Sequence, residues 1–211
     1  MSVSLHVVML DLAKFKGIQG SGDRFLLRRV FREKKEVIAD RDEFLPFHGQ
    51  PRLSLADAVR QIIDGHINRK ARPVSQFEHA AAVIADTVGE TLDAGPLGTS
   101  RTAFWDEVDQ VIRTRLRKTG ALRSAWPGLS ELLGRGPLLR IPLDHENPLG
   151  TGYLTAREVG RALRIAGTID LESGEGLGKL RWPQEALEGA SFCGRWLKSA
   201  GGRGLGLFLH C

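Results

Sequence analysis

The chain has 211 residues, 42% hydrophobic and 26% charged, a globular balance that excludes disordered, collagen-like and coiled-coil chains. At this length roughly 70% of the unfolded surface is buried on folding, so neither disulfides nor a structural metal is needed. Thirty Lys and Arg against 25 Asp and Glu leave a net charge of +5, a mild pull towards anionic partners.

Val3 to Leu10 reads as a strand, with Val3, Leu5, Val7 and Met9 on one face. Its other face, Ser4, His6, Val8 and Leu10, is also partly apolar, which implies cover on both sides. Asp11 ends this apolar run, and no cationic start precedes it, so it does not read as a signal peptide. After Gly20-Ser21-Gly22 a helix is expected to bury Phe25, Leu26, Val30 and Phe31. The stretch from Arg32 to Arg41 is charged enough to face water, and Phe44-Leu45-Pro46-Phe47 reads as an apolar loop.

Ser54, with Asp57 behind it, is placed to cap a helix whose apolar stripe is Leu55, Ala58, Val59, Ile62 and Ile63. Gly65 should stop that helix. Ser75 and Glu78 have capping-box spacing ahead of Phe77, Ala80, Ala81, Ile84 and Val88. Another helix carries Phe104, Trp105, Val108, Val111, Ile112 and Leu116 inward. From 120 to 152 proline and glycine recur every few residues, which predicts a long irregular segment with one short helix near Ser130–Leu133. Thr155 and Glu158 cap a further helix ending at Gly167, and Gly174 to Gly178 reads as a link. The last helix begins near Pro183 and turns Ala186, Leu187, Ala190, Cys193, Leu197 and Ala200 inward. Gly201-Gly202 ends it, and Leu205 to His210 forms a closing strand.

No motif fixes a reaction. Gly174-Glu175-Gly176-Leu177-Gly178-Lys179 lacks the first glycine of a phosphate loop, because Ser173 stands there, and Leu180 replaces its hydroxyl residue. Gly201 to Gly206 lies between a helix and a strand, the reverse of the order a dinucleotide site needs. Arg69, Lys70 and Arg72, and Arg113, Arg115, Arg117 and Lys118, read as cations at helix ends, with Asp109 spaced to pair with Arg113. They are not interleaved with aromatic side chains, so nucleic acid is not an expected partner. Two cysteines, Cys193 and Cys211, make neither a disulfide framework nor a zinc site, which suits a reduced, cytoplasmic setting. No window is apolar enough for a membrane span.

Candidate ligand-binding residues come from two places. Asp144, His145 and Glu146 lie in the long loop that leads to Tyr153, and together they have the chemistry for acid–base or metal work. His6 and His210 lie on the first and last strands and would meet if those strands pair. His210-Cys211 then offers a Cys/His pair, but no third group orients it, so no catalytic residue is assigned.

The stretch Gly152-Tyr153-Leu154-Thr155-Ala156-Arg157-Glu158-Val159, a helix, and then Gly202-Arg203-Gly204-Leu205-Gly206-Leu207-Phe208-Leu209-His210 resemble the YfbM-like bacterial proteins of unknown function and related actinobacterial domains. Asp11-Leu12 and Gly20-Ser21-Gly22-Asp23 are similar to the start of the latter group. The resemblance implies an α+β fold, mostly helical around a small sheet, and no particular activity.

The expectation is therefore a single α+β domain over residues 1–211, with the N- and C-terminal strands in one sheet. The favoured function is a non-enzymatic bacterial interaction protein, an immunity-type or regulatory partner of another protein, without cofactor or metal. The alternatives are a small-ligand binder or hydrolase using the 144–153 loop, and a weak accessory nucleic-acid binder.

Overall fold

The computed structural model describes residues 4–43, 52–98, 102–118, 126–143, 150–166 and 183–211. The expected loop at Phe44–Phe47, the Asp144-His145-Glu146 triplet, Gly167 and the Gly174–Gly178 link lie outside them. The described residues form an α+β fold, mostly helical, whose small sheet contains both terminal strands. Their chain contacts group into two units, one of residues 1–10, 91–135 and 150–211, the other of residues 11–90 and 136–149.

In the first unit the sheet is built from β1 (His6–Leu10), β2 (Glu90–Leu92), β3 (Thr151–Leu154) and β4 (Gly206–His210), in the order β2-β1-β4-β3. β4 runs antiparallel to both neighbours: Val8 faces Phe208, which faces Tyr153, and His6 faces His210, which faces Thr151. Side chains alternate across a strand, so Val7, Met9, Leu154, Leu207 and Leu209 share one face and join the main hydrophobic cluster. Val8, Leu10 and Phe208, on the opposite face, are buried as well, as expected of a strand apolar on both sides.

Four helices supply most of the rest of that cluster. α6 (Thr102–Lys118) buries Trp105, Val108, Val111, Ile112 and Leu116, leaving Phe104 half-buried. α7 (Leu129–Leu133) is the short helix expected in the irregular segment. α8 (Ala156–Ala166) starts on the predicted capping box, where Thr155 Oγ1 accepts from Glu158 N at 3.2 Å and Thr155 N donates to Glu158 Oε2 at 2.8 Å. α9 (Gln184–Gly202) buries Ala186, Ala190, Cys193, Leu197 and Ala200, and extends through the glycines expected to end it. Gly152 lets α7 lie directly on β3, since a Cβ there would stand 1.7 Å from the Leu132 carbonyl oxygen.

The second unit is helical. α1 (Leu12–Ile18) and α2 (Arg24–Glu33) are capped by Asp11 and Asp23, whose carboxylates accept from N–H groups of each first turn. α3 (Lys35–Glu43) occupies much of the charged stretch expected only to face water, with Ile38 as its buried residue. α4 (Leu55–Asp64) buries the five residues expected of it, with Ser54 as N-cap and left-handed Gly65 as C-cap. The N–H groups of Gly20 and Gly22 cap the Ile62 and Ile63 carbonyls at its end.

α5 (Ser75–Val88) corrects one expectation. Val74 already has helical dihedrals, and Gln76 and Phe77 donate back to Pro73 and Val74. Ser75 is therefore inside the helix, where its hydroxyl cannot cap it, and Glu78 is buried instead. Residues 80–85 are nearly all buried, so the helix is apolar around most of its girth, while Val88 is only half-buried.

Candidate functional site

Pairing of β1 with β4 brings His6 and His210 together, as the sequence suggested. They are direct register partners, and their rings stack with centroids 4.8 Å apart and planes 1° from parallel. Phe208, two residues back on the same face, lies 6.0 Å from the His210 ring. Across β4 from His6 stands Thr151, the register partner of His210. Directly paired residues in an antiparallel ladder project to one face, so His6, His210 and Thr151 make a row at the end of the sheet. His6 is exposed, His210 is 9% exposed and Thr151 1%, so the row runs from solvent inward. The Thr151 hydroxyl has no hydrogen-bond partner among the described residues. Tyr153 lies one register step along and is half-buried.

Asp144, His145 and Glu146 are outside the described residues, but the chain just after them reaches this end of the sheet. The Cys211 N–H donates to the Gly150 carbonyl at 3.0 Å, and its thiol donates to the same oxygen at 3.4 Å. Burial pushes the Cys211 thiol up to about 11, so it stays protonated at neutral pH and is no nucleophile. The α8 N-terminus close by presents backbone N–H groups that favour an anion. It holds one of its own. Burial works to raise the Glu158 carboxyl, but the Thr155 N–H and hydroxyl, helped by Arg135 at 2.9 Å, outweigh it and hold the group below its usual range.

A second surface feature was missed by sequence reasoning. Phe25 was expected to be buried, yet it is 82% exposed. The Asp23 cap fixes the phase of α2, and Val30, its one fully buried residue, stands five positions on, about 140° round the helix from Phe25. The same wheel puts Arg24, Arg28, Arg29 and Arg32 on the exposed side around the ring. Glu33 is shared by Arg29 at 3.1 Å and Arg32 at 3.0 Å. Arg24 and Arg28 have no ion-pair partner among the described residues. The helical phase set by an Asp at the cap was the signal that could have found this face.

Several cations of the basic clusters noted in the sequence are turned to their own chain. Arg72 donates to the Arg69 and Ala71 carbonyls of its own turn, Arg113 donates to the Pro127 carbonyl, and Arg115 is buried. Asp109 does not serve as a surface partner of Arg113. It is 4% exposed and accepts from Trp126 Nε1 at 2.8 Å and from the Leu129 N–H, tying α6 to the start of α7. Among the described residues no three His, Cys, Asp or Glu side chains are grouped to hold a metal ion. Nor is any described helix long and apolar enough to cross a membrane.

No curated protein and no solved structure matches the chain. A family model does, over residues 1–210, and the chain belongs to that family, DUF7691, described as a domain of unknown function.

Proposed function

We propose that this protein is a non-enzymatic interaction protein, an immunity-type or regulatory partner, that docks an acidic segment of another protein on the exposed face of α2. One observation carries the reading: Phe25 stands 82% exposed among four arginines of the same helix, two of them without carboxylate partners among the described residues. An exposed phenylalanine ringed by arginine has the composition of an interface anchor rather than of ordinary solvated surface. Arg24, Arg28 and Arg32 recur every fourth residue and form one row, which complements a row of carboxylates at the same spacing on a partner helix. A single aromatic on the row gives one stacking platform, fewer than single-stranded nucleic acid uses along its length. A resemblance to YfbM-like proteins at 152–159 and 202–210 brings no activity with it. A reduced cytoplasmic setting agrees with the two cysteines, both free thiols.

Photo-crosslinking from position 25 in the source cells identifies what lies on this face, and the captured protein is then purified for binding measurements. We expect an acidic protein whose affinity falls roughly 10- to 100-fold in Phe25→Ser, the cost of leaving one phenylalanine unburied. Arg28→Glu should lower it as well, and Arg69→Glu should not. Capture of RNA, or a purified partner that binds Phe25→Ser and Arg28→Glu as tightly as the unaltered chain, overturns the proposal.

A further inference from the structure

We infer that Arg60, on α4, is the specificity-determining residue of the docking face, and that the segment it admits is an acidic helix with carboxylates along one side. This rests on the docking proposed at α2 and carries that face on to a second helix. Phe31 joins the two. It stands three residues beyond Arg28, hence beside it on the helix surface, and is half-buried. The Arg60 guanidinium lies over the Phe31 ring, its Cζ 4.8 Å from the centroid. Exposed Arg60 therefore continues the cationic surface sideways from Arg28, where α2 and α4 pack.

Arg60 differs from the α2 arginines in being held from two directions before a ligand arrives. Besides the ring beneath it, its Nη1 donates to Asp57 Oδ1 at 2.8 Å. Asp57 is fixed in turn, because its own N–H donates to Ser54 Oγ at 3.0 Å in the first turn of α4. Both side chains of the pair are about half exposed, at 50% and 51%. The contact with Asp57 leaves other N–H donors of the guanidinium fork for an incoming carboxylate. Arg24 and Arg28 must be ordered by the ligand, and that ordering offsets part of what each contact gains. A cation already in place loses less, so the position of Arg60 selects what binds. The same placement disfavours nucleic acid. With Arg60 over it, the Phe31 ring is no platform for a base, and Phe25 remains the one strongly exposed ring of α2.

The test uses the whole chain and a synthetic helical peptide with glutamate at every fourth position beside a leucine stripe. A second peptide carries glutamine in place of each glutamate. NMR of the arginine Nε–H groups follows each titration, and Arg60→Lys assigns the Arg60 signal. We expect that signal to shift saturably with the glutamate peptide. Arg60→Ala should weaken this binding roughly three- to tenfold, as for a half-exposed charged pair, and Arg60→Lys should recover only part of the loss. Neither variant should alter affinity for the glutamine peptide, and thermal melts of both should match the unaltered chain. Glutamate-peptide binding that Phe25→Ser weakens, but that Arg60→Ala leaves unchanged or Arg60→Lys restores in full, overturns this inference and leaves the α2 docking face standing. A glutamate peptide that binds no better than the glutamine peptide, or as well to Phe25→Ser, overturns both. So does a uridine oligonucleotide that binds more tightly than either peptide.

Discussion

Asp109→Ala tests whether one carboxylate holds the start of α7 in place. The carboxylate accepts from Trp126 Nε1 at 2.8 Å and from the Leu129 N–H at 2.8 and 3.0 Å, and the residue is 4% exposed. Gly128 makes this possible. Its φ is +103°, and a Cβ there would stand 2.7 Å from Asp109 Oδ2. Truncation to alanine leaves two buried donors without an acceptor, at about 1–3 kcal/mol each, or roughly 2–6 kcal/mol together. At about 2–4 °C per kcal/mol for a chain of this size, the melting temperature should fall by roughly 4–24 °C. Asp109→Asn keeps one oxygen for both donors and should lose less than half as much.

The pH dependence of the same site has a definite sign. Burial raises the Asp109 carboxyl above its ordinary value, against the pull of Trp126, Leu129 and Arg113. The folded state therefore holds this proton more tightly than the unfolded chain does. Stability from this group is present below the unfolded value and is lost as pH rises through the folded one. The unaltered chain should lose ground to Asp109→Asn as pH is raised from 4 towards neutrality. Thermal melts followed by circular dichroism across that range decide the matter. An Asp109→Ala melt within a degree or two of the unaltered chain would refute the reasoning.

Gly152→Ala should yield no soluble folded protein, because the new Cβ would meet the Leu132 carbonyl oxygen at 1.7 Å, whereas Gly160→Ala, open on that side and inside α8, should be neutral or add up to about 1 kcal/mol. Expression yield and thermal melts of the two variants side by side check this. Cys211 should react only slowly with a thiol reagent at pH 8 and about ten times faster for each unit of pH towards 11, while buried Cys193 should not react until the chain unfolds. Stopped-flow traces with a prompt thiol at pH 8 would contradict both assignments.

The parts of the fold legible in the sequence are those whose ends carry local signals. α4 is the clearest, since Ser54 and Gly65 bracket a stripe whose five apolar residues all prove buried. Terminal strands were legible for another reason: each is short, alternates, and is too weak to stand unpaired. α3 was hidden because its charge overwhelms one buried anchor, Ile38. Ser75 and Glu78 misled because capping-box spacing says nothing of whether the helix has already begun, and Val74 shows that it has. At α5 a neighbouring residue set where the helix begins, and capping-box spacing alone does not carry that.

The candidate sites divide along the same line. His6 and His210 were legible as a pair because strand position and register follow from alternation. Thr151 was not, because a threonine in a strand is ordinary and only the folded chain leaves its hydroxyl without a partner. Asp109 had the spacing of a surface ion pair with Arg113, and its burial depends on Trp126 and Leu129, which arrive from a segment of no regular pattern. Phe25 is the inverse case: an apolar residue in a helix is read as core by default, and here the cap at Asp23 turns it outward among arginines. A polar group buried without a partner and an apolar group exposed without one both depart from what burial alone would produce. The second departure is where we propose that a partner docks, and Phe25→Ser removes it while leaving the core unchanged, since that side chain is 82% exposed.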